Sequence, residues 1–174
     1  MIAGEAKGRR LIAPRTSVTR PATDRLRESV FGTLGESTED AAVLDLFAGS
    51  GAFGIEALSR GASRATFVDR DAAAIAAIRE NLLSTGFVDR GRVARADVAA
   101  FVRMSAERYD LVFVDPPYAE TELLAALLSG EDLRRLTEGV LVTRALRKHA
   151  PPVPAHWKLE RERSVGEDLV RYLR

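Results

Sequence analysis

The sequence predicts an α/β fold: a mostly parallel sheet with helices on both faces. From residue 43 onward, short apolar runs alternate with helical patterns, which is typical of repeated β-α-β units. Near the C-terminus, two strand-like stretches at residues 157–162 and 169–173 flank a turn at Gly166, which predicts a closing antiparallel hairpin. The 174 residues suit one domain with a small appendage.

The individual elements follow from local patterns. Five apolar runs predict the strands, at residues 43–47, 65–68, 93–96, 111–114 and 140–142. Helical spacing between them predicts helices at residues 54–59, 71–86, 98–104 and 123–128. Parallel strands end at one edge of a sheet, where ligands bind in folds of this class. The residues expected at that edge are Gly49, Gly51, Asp69, Asp97 and Asp115.

The first 35 residues have a different pattern. Residues 1–20 contain short extended signals and predict a hairpin or arm, and a helix with an apolar face then starts at Thr23 and ends at Gly35. A polar linker is expected at residues 36–40. We therefore divide the chain into an N-terminal segment, residues 1–35, and a main domain, residues 36–174.

Charge is concentrated near the start of the chain. Residues 1–30 carry seven cationic and three anionic side chains, although the whole chain has a net charge of only +1. A basic segment on a slightly acidic body favours a polyanionic partner. The same arginines could instead form a solvated surface with local ion pairs.

Composition limits the classes of protein to consider. The chain is 46% hydrophobic and 29% charged, and no apolar run approaches the roughly 20 residues that cross a bilayer. The start does not resemble a signal peptide. Cysteine is absent, which excludes disulfides and thiolate metal sites and favours a cytoplasmic location. With two histidines, both near the C-terminus, we propose no metal site.

A glycine-rich loop follows the first predicted strand. Residues 49–54, Gly-Ser-Gly-Ala-Phe-Gly, match the G-x-G-x-x-G pattern, and Asp69 lies 20 residues after Gly49 at the end of the next strand. This is the fingerprint of a site for an adenosine-containing cofactor, in which the glycines form a tight turn and the acid binds ribose hydroxyls. A turn without a ligand is the simpler alternative.

The loop's charge distinguishes two cofactors. A nicotinamide cofactor brings a pyrophosphate to the helix N-terminus, whereas S-adenosylmethionine brings an ammonium and a sulfonium. Asp45, just before the glycines, favours the cationic ligand, although it could instead cap local backbone amides. Asp97 could accept from the adenine amino group, cap the following helix, or do both. The predicted cofactor-binding residues are Asp45, Phe47, Ala48, Gly49, Gly51, Asp69, Arg70, Asp97 and Val98.

The fourth strand ends in Asp115-Pro116-Pro117-Tyr118, the most specific signal in the chain. An exocyclic amino group on a base is a weak nucleophile because its lone pair is delocalised into the ring. A carboxylate and a fixed carbonyl can accept both N–H bonds and stabilise the charge that develops on nitrogen. We assign these roles to Asp115 and to Pro116, with Pro117 helping to fix the backbone and Tyr118 stacking on the base.

The glycine loop, the Asp-Pro-Pro-Tyr motif and the segment at residues 20–28 resemble those of the RsmD-type methyltransferases, which modify guanine N2 in 16S ribosomal RNA. The resemblance covers nearly the whole chain. The segment at residues 20–28, Arg-Pro-Ala-Thr-Asp-Arg-Leu-Arg-Glu, is more particular to this family than the glycine loop or the Asp-Pro-Pro-Tyr motif. One departure follows the fifth strand, where the family often has an acidic residue and this chain has Val142-Thr143-Arg144.

The resemblance implies a Rossmann-like class I fold, S-adenosylmethionine as cofactor, and a guanine in a partly or fully assembled small ribosomal subunit as substrate. It also implies that residues 20–28 lie over the active site. The residues expected to bind RNA are Lys7, Arg9, Arg10, Arg20, Thr23, Arg25 and Arg27.

Other functions are compatible with parts of the pattern. Asp-Pro-Pro-Tyr also serves adenine-N6 methylation of DNA, but 174 residues leave little room for a target-recognition domain. Glutamine-directed protein methyltransferases typically carry asparagine in place of Asp115. A non-catalytic RNA-binding assembly factor would not need the glycine loop, Asp69 and Asp115 together, and a nicotinamide oxidoreductase would not need Asp-Pro-Pro-Tyr.

Overall fold

The computed structural model describes residues 1–14 and 22–174. They form one seven-stranded sheet with the order β3-β2-β1-β4-β5-β7-β6. The strands are β1 Ala42–Leu46, β2 Arg64–Asp69, β3 Gly91–Arg95, β4 Tyr109–Val114, β5 Thr137–Leu146, β6 Leu159–Val165 and β7 Asp168–Leu173. The helices are α1 Asp24–Leu34, α2 Ala52–Ser59, α3 Ala72–Thr85, α4 Val98–Met104, α5 Thr121–Ser129 and α6 Glu131–Leu136.

The sheet confirms the predicted fold class. Strands β1 to β5 pair in parallel, and β7 inserts antiparallel between β5 and β6. The closing hairpin turns at Gly166, as expected. Among the described residues, no helix is both long enough and apolar enough to cross a membrane.

Two apolar cores fill the space between the sheet and its helices. On one face, α1, α2 and α3 pack around Phe67, Phe113 and Val142; on the other, α4, α5 and α6 pack around Val112 and Leu141. Burying each large apolar side chain contributes about 1.5–3 kcal/mol. The first core is the more relevant to function, because it packs α1 and α2 on the sheet beside the candidate site.

Aromatic packing fixes α1 and α2 over that face. The ring centroid of Phe113 on β4 lies 5.7 Å from that of Phe31 on α1 and 5.0 Å from that of Phe53 on α2. Both pairs have the offset or tilted geometry that aromatic rings favour. The two helices and the central strand therefore form one packed unit directly below the residues that follow β4.

Side-chain caps set the starts of three helices. Thr23 Oγ1 accepts from Leu26 N at 3.2 Å, Asp71 Oδ1 from Ala73 N at 2.9 Å, and Asp97 Oδ1 from Ala100 N at 2.9 Å. Each cap satisfies an amide that has no partner within the helix. These positions match the predicted helix starts to within one residue.

In the N-terminal segment, for which we predicted a hairpin or an arm, no strand forms within residues 1–14. The backbone instead docks on α2: Ile2 N and Ala3 N donate to the two carboxylate oxygens of buried Glu56 at 2.9 and 3.1 Å. Gly4 has φ +76°, and a Cβ there would lie 1.6 Å from Ser59 O. The backbone of residues 2–4 is therefore held by contacts with α2 and not by strand pairing.

Four further details differ from the sequence-based expectation. Helix α6 was not predicted, and β5 runs well beyond residues 140–142. Trp157 precedes β6 instead of belonging to it, with its buried indole donating to Leu128 O at 2.8 Å. The polar linker includes one helical turn at Gly35–Thr38.

Candidate active site

A cavity of about 540 Å³ opens at the carboxyl ends of the parallel strands. Its volume lies within the range of small-molecule sites. It brings together almost all of the predicted catalytic and cofactor-binding residues, namely Asp45, Phe47, Ala48, Gly49, Asp69, Arg70, Asp97, Val98, Asp115, Pro116, Pro117 and Tyr118. The N-terminal segment also contributes to the wall, through Ala13, Pro14 and Ala22.

The glycine loop makes a tight turn between β1 and α2. Gly49 and Gly51 have φ of +55° and +77°, a region that side chains rarely adopt. A Cβ on Gly49 would meet nothing nearer than Phe47 O at 4.0 Å, so the loop leaves open space there. A Cβ on Gly51 would lie 3.2 Å from both Ile55 and Phe67. Gly51 therefore serves the turn and its packing, and it is not part of the cavity wall.

Asp69 fastens this loop to the end of β2. Its Oδ2 accepts from Gly49 N at 2.9 Å, and its Oδ1 accepts from Asp71 N at 2.9 Å. Each carboxylate oxygen offers about two acceptor positions, so each keeps capacity for one more donor. Asp69 is thus both a structural residue of the loop and a group able to accept from ribose hydroxyls.

Asp45 is buried beneath the loop. Its Oδ2 accepts from Gly54 N at 2.9 Å, so the capping role considered from the sequence is present. Burial raises the pKa of Asp45 well above its ordinary value, the Gly54 amide opposes this, and nearby Asp115 and Asp69 raise the pKa further. A cationic ligand in the cavity would favour the ionised form.

Asp97 and Arg70 complete the predicted cofactor set. Asp97 caps α4 through Oδ1 and also lies on the cavity wall, so both of its predicted roles are geometrically available. Arg70 is exposed, and its Nη2 donates to Glu120 at 2.6 Å across the mouth of the cavity. This ion pair links the end of β2 to the turn after Tyr118.

The charges of the cavity fit a cationic ligand better than a pyrophosphate. Six carboxylates lie on the wall against two guanidiniums. The carboxylates belong to Asp45, Asp69, Asp71, Asp97, Asp115 and Glu120. A doubly charged phosphate group would face this excess of negative charge, whereas a sulfonium and an ammonium would be stabilised by it. The open space above Gly49 and the acceptors on Asp69 fit S-adenosylmethionine.

Asp115 directly follows β4, between the ends of β1 and β5. Strand pairing sets Val114 beside Leu46 on one side and Thr143 on the other. The next residue, Asp115, therefore stands beside Arg144 at the edge of the cavity. The Asp115 side chain is 19% exposed, so it is shielded from bulk water yet reachable from the cavity.

Sequence reasoning missed an ion-pair cluster around Asp115. Arg144 Nη1 donates to both Asp115 oxygens, at 3.3 and 3.1 Å, and Nη2 lies 3.2 Å from Asp168 Oδ2 and donates to Tyr118 Oη at 2.7 Å. The Tyr118 hydroxyl also donates to Asp168. The Arg144 side chain is only 5% exposed. The one available signal was the arginine at a position where the resembled family often has an acid.

The cluster shifts the ionisation of its members. Burial raises the pKa of Asp115 above its ordinary value, although the adjacent Arg144 guanidinium lowers it and Asp168 raises it. Burial would lower the pKa of Arg144, but the two carboxylates raise it above the ordinary arginine value. Burial and the bond to Asp168 raise the pKa of Tyr118, which keeps its hydroxyl protonated.

Tyr118 is less free than the sequence suggested. Its hydroxyl is held by Arg144 and Asp168, and the Arg144 guanidinium carbon lies 5.3 Å from the ring centroid. The residue is nevertheless half-exposed on the cavity wall. Its ring is therefore fixed in orientation before any base reaches it.

The predicted RNA-binding residues separate into three groups. Lys7, Arg9, Arg10 and Arg25 are exposed, and Thr23 is exposed while its oxygen caps α1. Arg20 lies outside the described residues.

Arg27 has a different environment. Its side chain is 10% exposed, with Nη1 donating to Ala22 O at 2.9 Å and Nη2 to Asp24 at 2.7 Å. These internal contacts correspond to the local ion pair considered from the sequence. They occupy the guanidinium, so we leave Arg27 out of the proposed RNA-binding set.

Asn81 is a second buried polar residue that the sequence did not reveal. Its Oδ1 accepts from Ile12 N at 2.8 Å, and its Nδ2 donates to Ile12 O and to Ser50 O, both at 2.9 Å. Asn81 on α3 therefore joins the N-terminal segment to the glycine loop. No local pattern distinguishes this asparagine from an ordinary helix residue.

Comparison with known proteins identifies the family of the chain. The whole chain, residues 1–174, matches the family model described as "Conserved hypothetical protein 95". It is 37% identical over 173 residues to "Ribosomal RNA small subunit methyltransferase D" of Escherichia coli (strain K12), covering 98% of this chain and 87% of the relative. It is 40% identical over 141 residues to "Putative rRNA methyltransferase YlbH" of Bacillus subtilis (strain 168), covering 79% and 77%.

A solved structure gives the same result. "Putative methyltransferase yhhF from Escherichia coli" superposes with a TM-score of 0.86 at 35% identity, covering 100% of this chain and 96% of that one. Fold and site together define an enzyme of the S-adenosylmethionine-dependent methyltransferase class. More particularly, the chain belongs to the Conserved hypothetical protein 95 family, the RsmD-type methyltransferases that its sequence motifs resemble.

Proposed function

We propose that this enzyme transfers a methyl group from S-adenosylmethionine to the exocyclic N2 amino group of a guanine in small-subunit (16S) ribosomal RNA. One observation carries the proposal: the Asp115 carboxylate lies on the same cavity as the glycine loop and Asp69. An acceptor for an amino group thus adjoins a cofactor site. The printed name of the Escherichia coli relative, a small-subunit ribosomal RNA methyltransferase, supplies the substrate class.

The cavity residues divide into two sets. Asp69, the glycine loop, Asp97 and Val98 hold the cofactor, and Asp45 adds negative charge beneath it. S-adenosylmethionine, when bound, supplies an electrophilic methyl carbon on its sulfonium. Positioning this carbon in line with the amino nitrogen is the main source of rate enhancement that such a site can offer.

The residues after β4 act on the substrate. The Asp115 carboxylate accepts one N–H of the amino group and the Pro116 carbonyl accepts the other, which localises the nitrogen lone pair. The bound cofactor would supply the methyl group, with its carbon–sulfur bond breaking as the carbon–nitrogen bond forms. The surplus proton leaves the nitrogen, with Asp115 as the nearest acceptor. Pro117 stiffens the backbone, and the fixed ring of Tyr118 offers a stacking surface worth about 1–3 kcal/mol.

Exposed basic groups of the N-terminal segment and of α1 suit the RNA backbone. Lys7, Arg9, Arg10 and Arg25 are exposed and available to phosphates, and the Thr23 hydroxyl can still donate while its oxygen caps α1. We include Arg20 in this set from the sequence alone. We further propose that the N-terminal segment covers the active site and contacts the RNA that enters it, since Ala13, Pro14 and Ala22, from the described part of this segment, line the cavity.

We also propose that the substrate is the RNA within a partly or fully assembled small subunit. The proposed contacts spread from the N-terminal segment to α1, which suits a folded ribonucleoprotein surface better than a flexible strand.

The test uses labelled S-adenosylmethionine and three substrates: small subunits from cells that lack the enzyme, naked 16S RNA, and duplex DNA. We expect label in the subunits, less in naked RNA, and none in DNA. Label mainly in DNA would instead support the adenine-N6 alternative. Tight cofactor binding with no transfer to any substrate would contradict the proposed function.

A further inference from the structure

We propose that Arg144 is a positioning residue for methyl transfer, one that holds the Asp115 carboxylate ionised and oriented towards the substrate. The proposal rests on the function proposed above, which assigns Asp115 the role of acceptor. Three neighbouring strands supply the parts: Asp115 follows β4, Arg144 belongs to β5, and Asp168 begins β7. Their register places all three on the face that packs against α1 and α2.

The positive charge of Arg144 keeps Asp115 ionised. Asp115 and Asp168 are two carboxylates in a shielded site, and the guanidinium of Arg144 lies between them, at 3.1 Å from one and 3.2 Å from the other. A shielded carboxylate that loses its partner tends to take up a proton. A protonated Asp115 would present an O–H donor to the N–H donors of a base. Arg144 therefore maintains the form of Asp115 that the chemistry requires.

The Asp115 carboxylate has enough hydrogen-bond acceptor positions for both Arg144 and the substrate. An ionised carboxylate has about four acceptor positions, and the shared contact with Arg144 Nη1 uses one on each oxygen. The others remain for a substrate amino group, and 19% of the Asp115 side chain is exposed. Arg144 and the substrate can thus bind Asp115 at the same time.

The Arg144 guanidinium is itself held rigidly. The second arm of the guanidinium is fixed by Asp168 and by the hydroxyl of Tyr118, which itself donates to Asp168. A guanidinium fixed in this way keeps its position when the substrate binds. It fixes the direction in which Asp115 presents its free acceptor positions, and errors of about 1 Å in such positions can cost about 100-fold in rate.

A purely structural role makes a different prediction. If Arg144 only joined β5 to β7, its loss would lower stability without changing how Asp115 titrates. The charged or titratable groups that face Asp115 are Asp45 on β1, Tyr118 after β4, Arg144 on β5 and Asp168 on β7. Helix α1 contributes the apolar side chain of Val30 to the small cavity that Asp115 and Arg144 line. Arg144 is thus the one cation among the described groups facing Asp115.

The test compares Arg144→Met with the double variant Arg144→Met/Asp168→Asn. The double variant removes the second carboxylate, so it does not leave two unpaired acids in the fold. Arg108→Met is the matched control, since Arg108 is 63% exposed and pairs with Glu138 away from the cavity. We would measure thermal stability, S-adenosylmethionine affinity, and kcat and kcat/KM for methyl transfer from about pH 6 to about pH 9.

We expect kcat to fall about 100-fold near neutral pH in both Arg144 variants, with cofactor affinity retained. Because Arg144 lowers the pKa of Asp115 and the ionised form is the active one, the acid limb of the pH profile should move to higher pH. Arg144→Lys keeps the charge and should keep the acid limb, at an intermediate kcat. Arg108→Met should match the wild type.

Carbon-13 NMR of the Asp115 carboxyl, recorded without substrate, separates this inference from the proposed function. A higher Asp115 pKa in the double variant supports the role of Arg144, whichever acceptor the enzyme methylates. A folded double variant with a wild-type Asp115 pKa, acid limb and kcat would overturn it. A wild type that methylates another amino group would contradict the proposed substrate, and the same comparison would then be made on that acceptor.

Discussion

Removing the Asn81 side chain should detach the N-terminal segment from the glycine loop. The buried amide makes three hydrogen bonds, to Ile12 N, Ile12 O and Ser50 O. At about 0.5–1.5 kcal/mol each, they contribute roughly 1.5–4.5 kcal/mol. Alanine is the better helix former by about 0.6 kcal/mol, which offsets part of the loss. The expected cost of Asn81→Ala is therefore about 2 kcal/mol.

Two assays check this value. For a domain of this size, about 2 kcal/mol corresponds to a decrease in Tm of roughly 4–8 °C. Hydrogen exchange at the Ile12 amide should accelerate much more than exchange in the central strands, because the loss is local. Leu83→Ala on the same helix is the control, since Leu83 is 73% exposed, and it should change stability by less than about 0.5 kcal/mol.

A substitution to aspartate makes the prediction sharper. Asn81→Asp keeps the acceptor for Ile12 N but turns a carboxylate towards the carbonyls of Ile12 and Ser50. It should therefore destabilise the protein more than Asn81→Ala. Unchanged protection of the Ile12 amide in both variants would refute the idea that Asn81 anchors this segment.

Three further predictions concern cofactor binding, the effect of Asp45 on stability, and RNA binding. Asp69→Ala should weaken S-adenosylmethionine binding about 10–100-fold by calorimetry, because charge-assisted bonds are lost; an unchanged Kd would remove Asp69 from the site. Asp45→Asn should raise Tm at neutral pH, because the folded-state pKa of Asp45 is raised by burial and its ionisation opposes folding. This gain should disappear below about pH 3.9, where the carboxyl is protonated in both states; a constant gain across pH would contradict the assignment. Arg9→Glu with Arg10→Glu should weaken RNA binding and flatten its salt dependence, and an unaltered slope would show that this segment does not contact phosphate.

The sequence contained most of the fold because its signals were local. The apolar run before Gly49 predicted β1, the cap at Asp71 and Gly86 bounded α3, and the turn at Gly166 located the final hairpin. Helix α6 was missed because it follows Gly130 directly and spans only Glu131–Leu136. Short polar helices of this kind depend on packing against neighbouring elements more than on propensity.

The hairpin or arm predicted for residues 1–20 shows a related limit in its described part. The extended signals in residues 1–14 were real, but their backbone amides bond to Glu56 and Asn81 instead of to another strand. The sequence reveals that an amide needs a partner, yet it does not reveal which distant side chain supplies it. Arg27 shows the same limit, because only the structure places Asp24 and the Ala22 carbonyl around its guanidinium.

The candidate site was predictable as a set of residues but not as an electrostatic arrangement. Asp69 is the last residue of β2 and Asp115 directly follows β4, so their meeting at one edge follows from parallel pairing. Arg144 lies beside Asp115 because β5 pairs with β4, and Asp168 joins them only because β7 inserts antiparallel beside β5. That topology sets the charge balance around the proposed acceptor, and it is not encoded in any local motif.

The most direct test of the central claim is the identity of the methylated nucleoside. Small subunits from cells lacking the enzyme would be treated with labelled S-adenosylmethionine and either wild-type enzyme or Asp115→Ala, and the RNA would then be digested and analysed. We predict N2-methylguanosine with the wild type and at least about 100-fold less with Asp115→Ala, although both bind the cofactor equally. Label in another nucleoside, or equal labelling by the two proteins, would contradict the account.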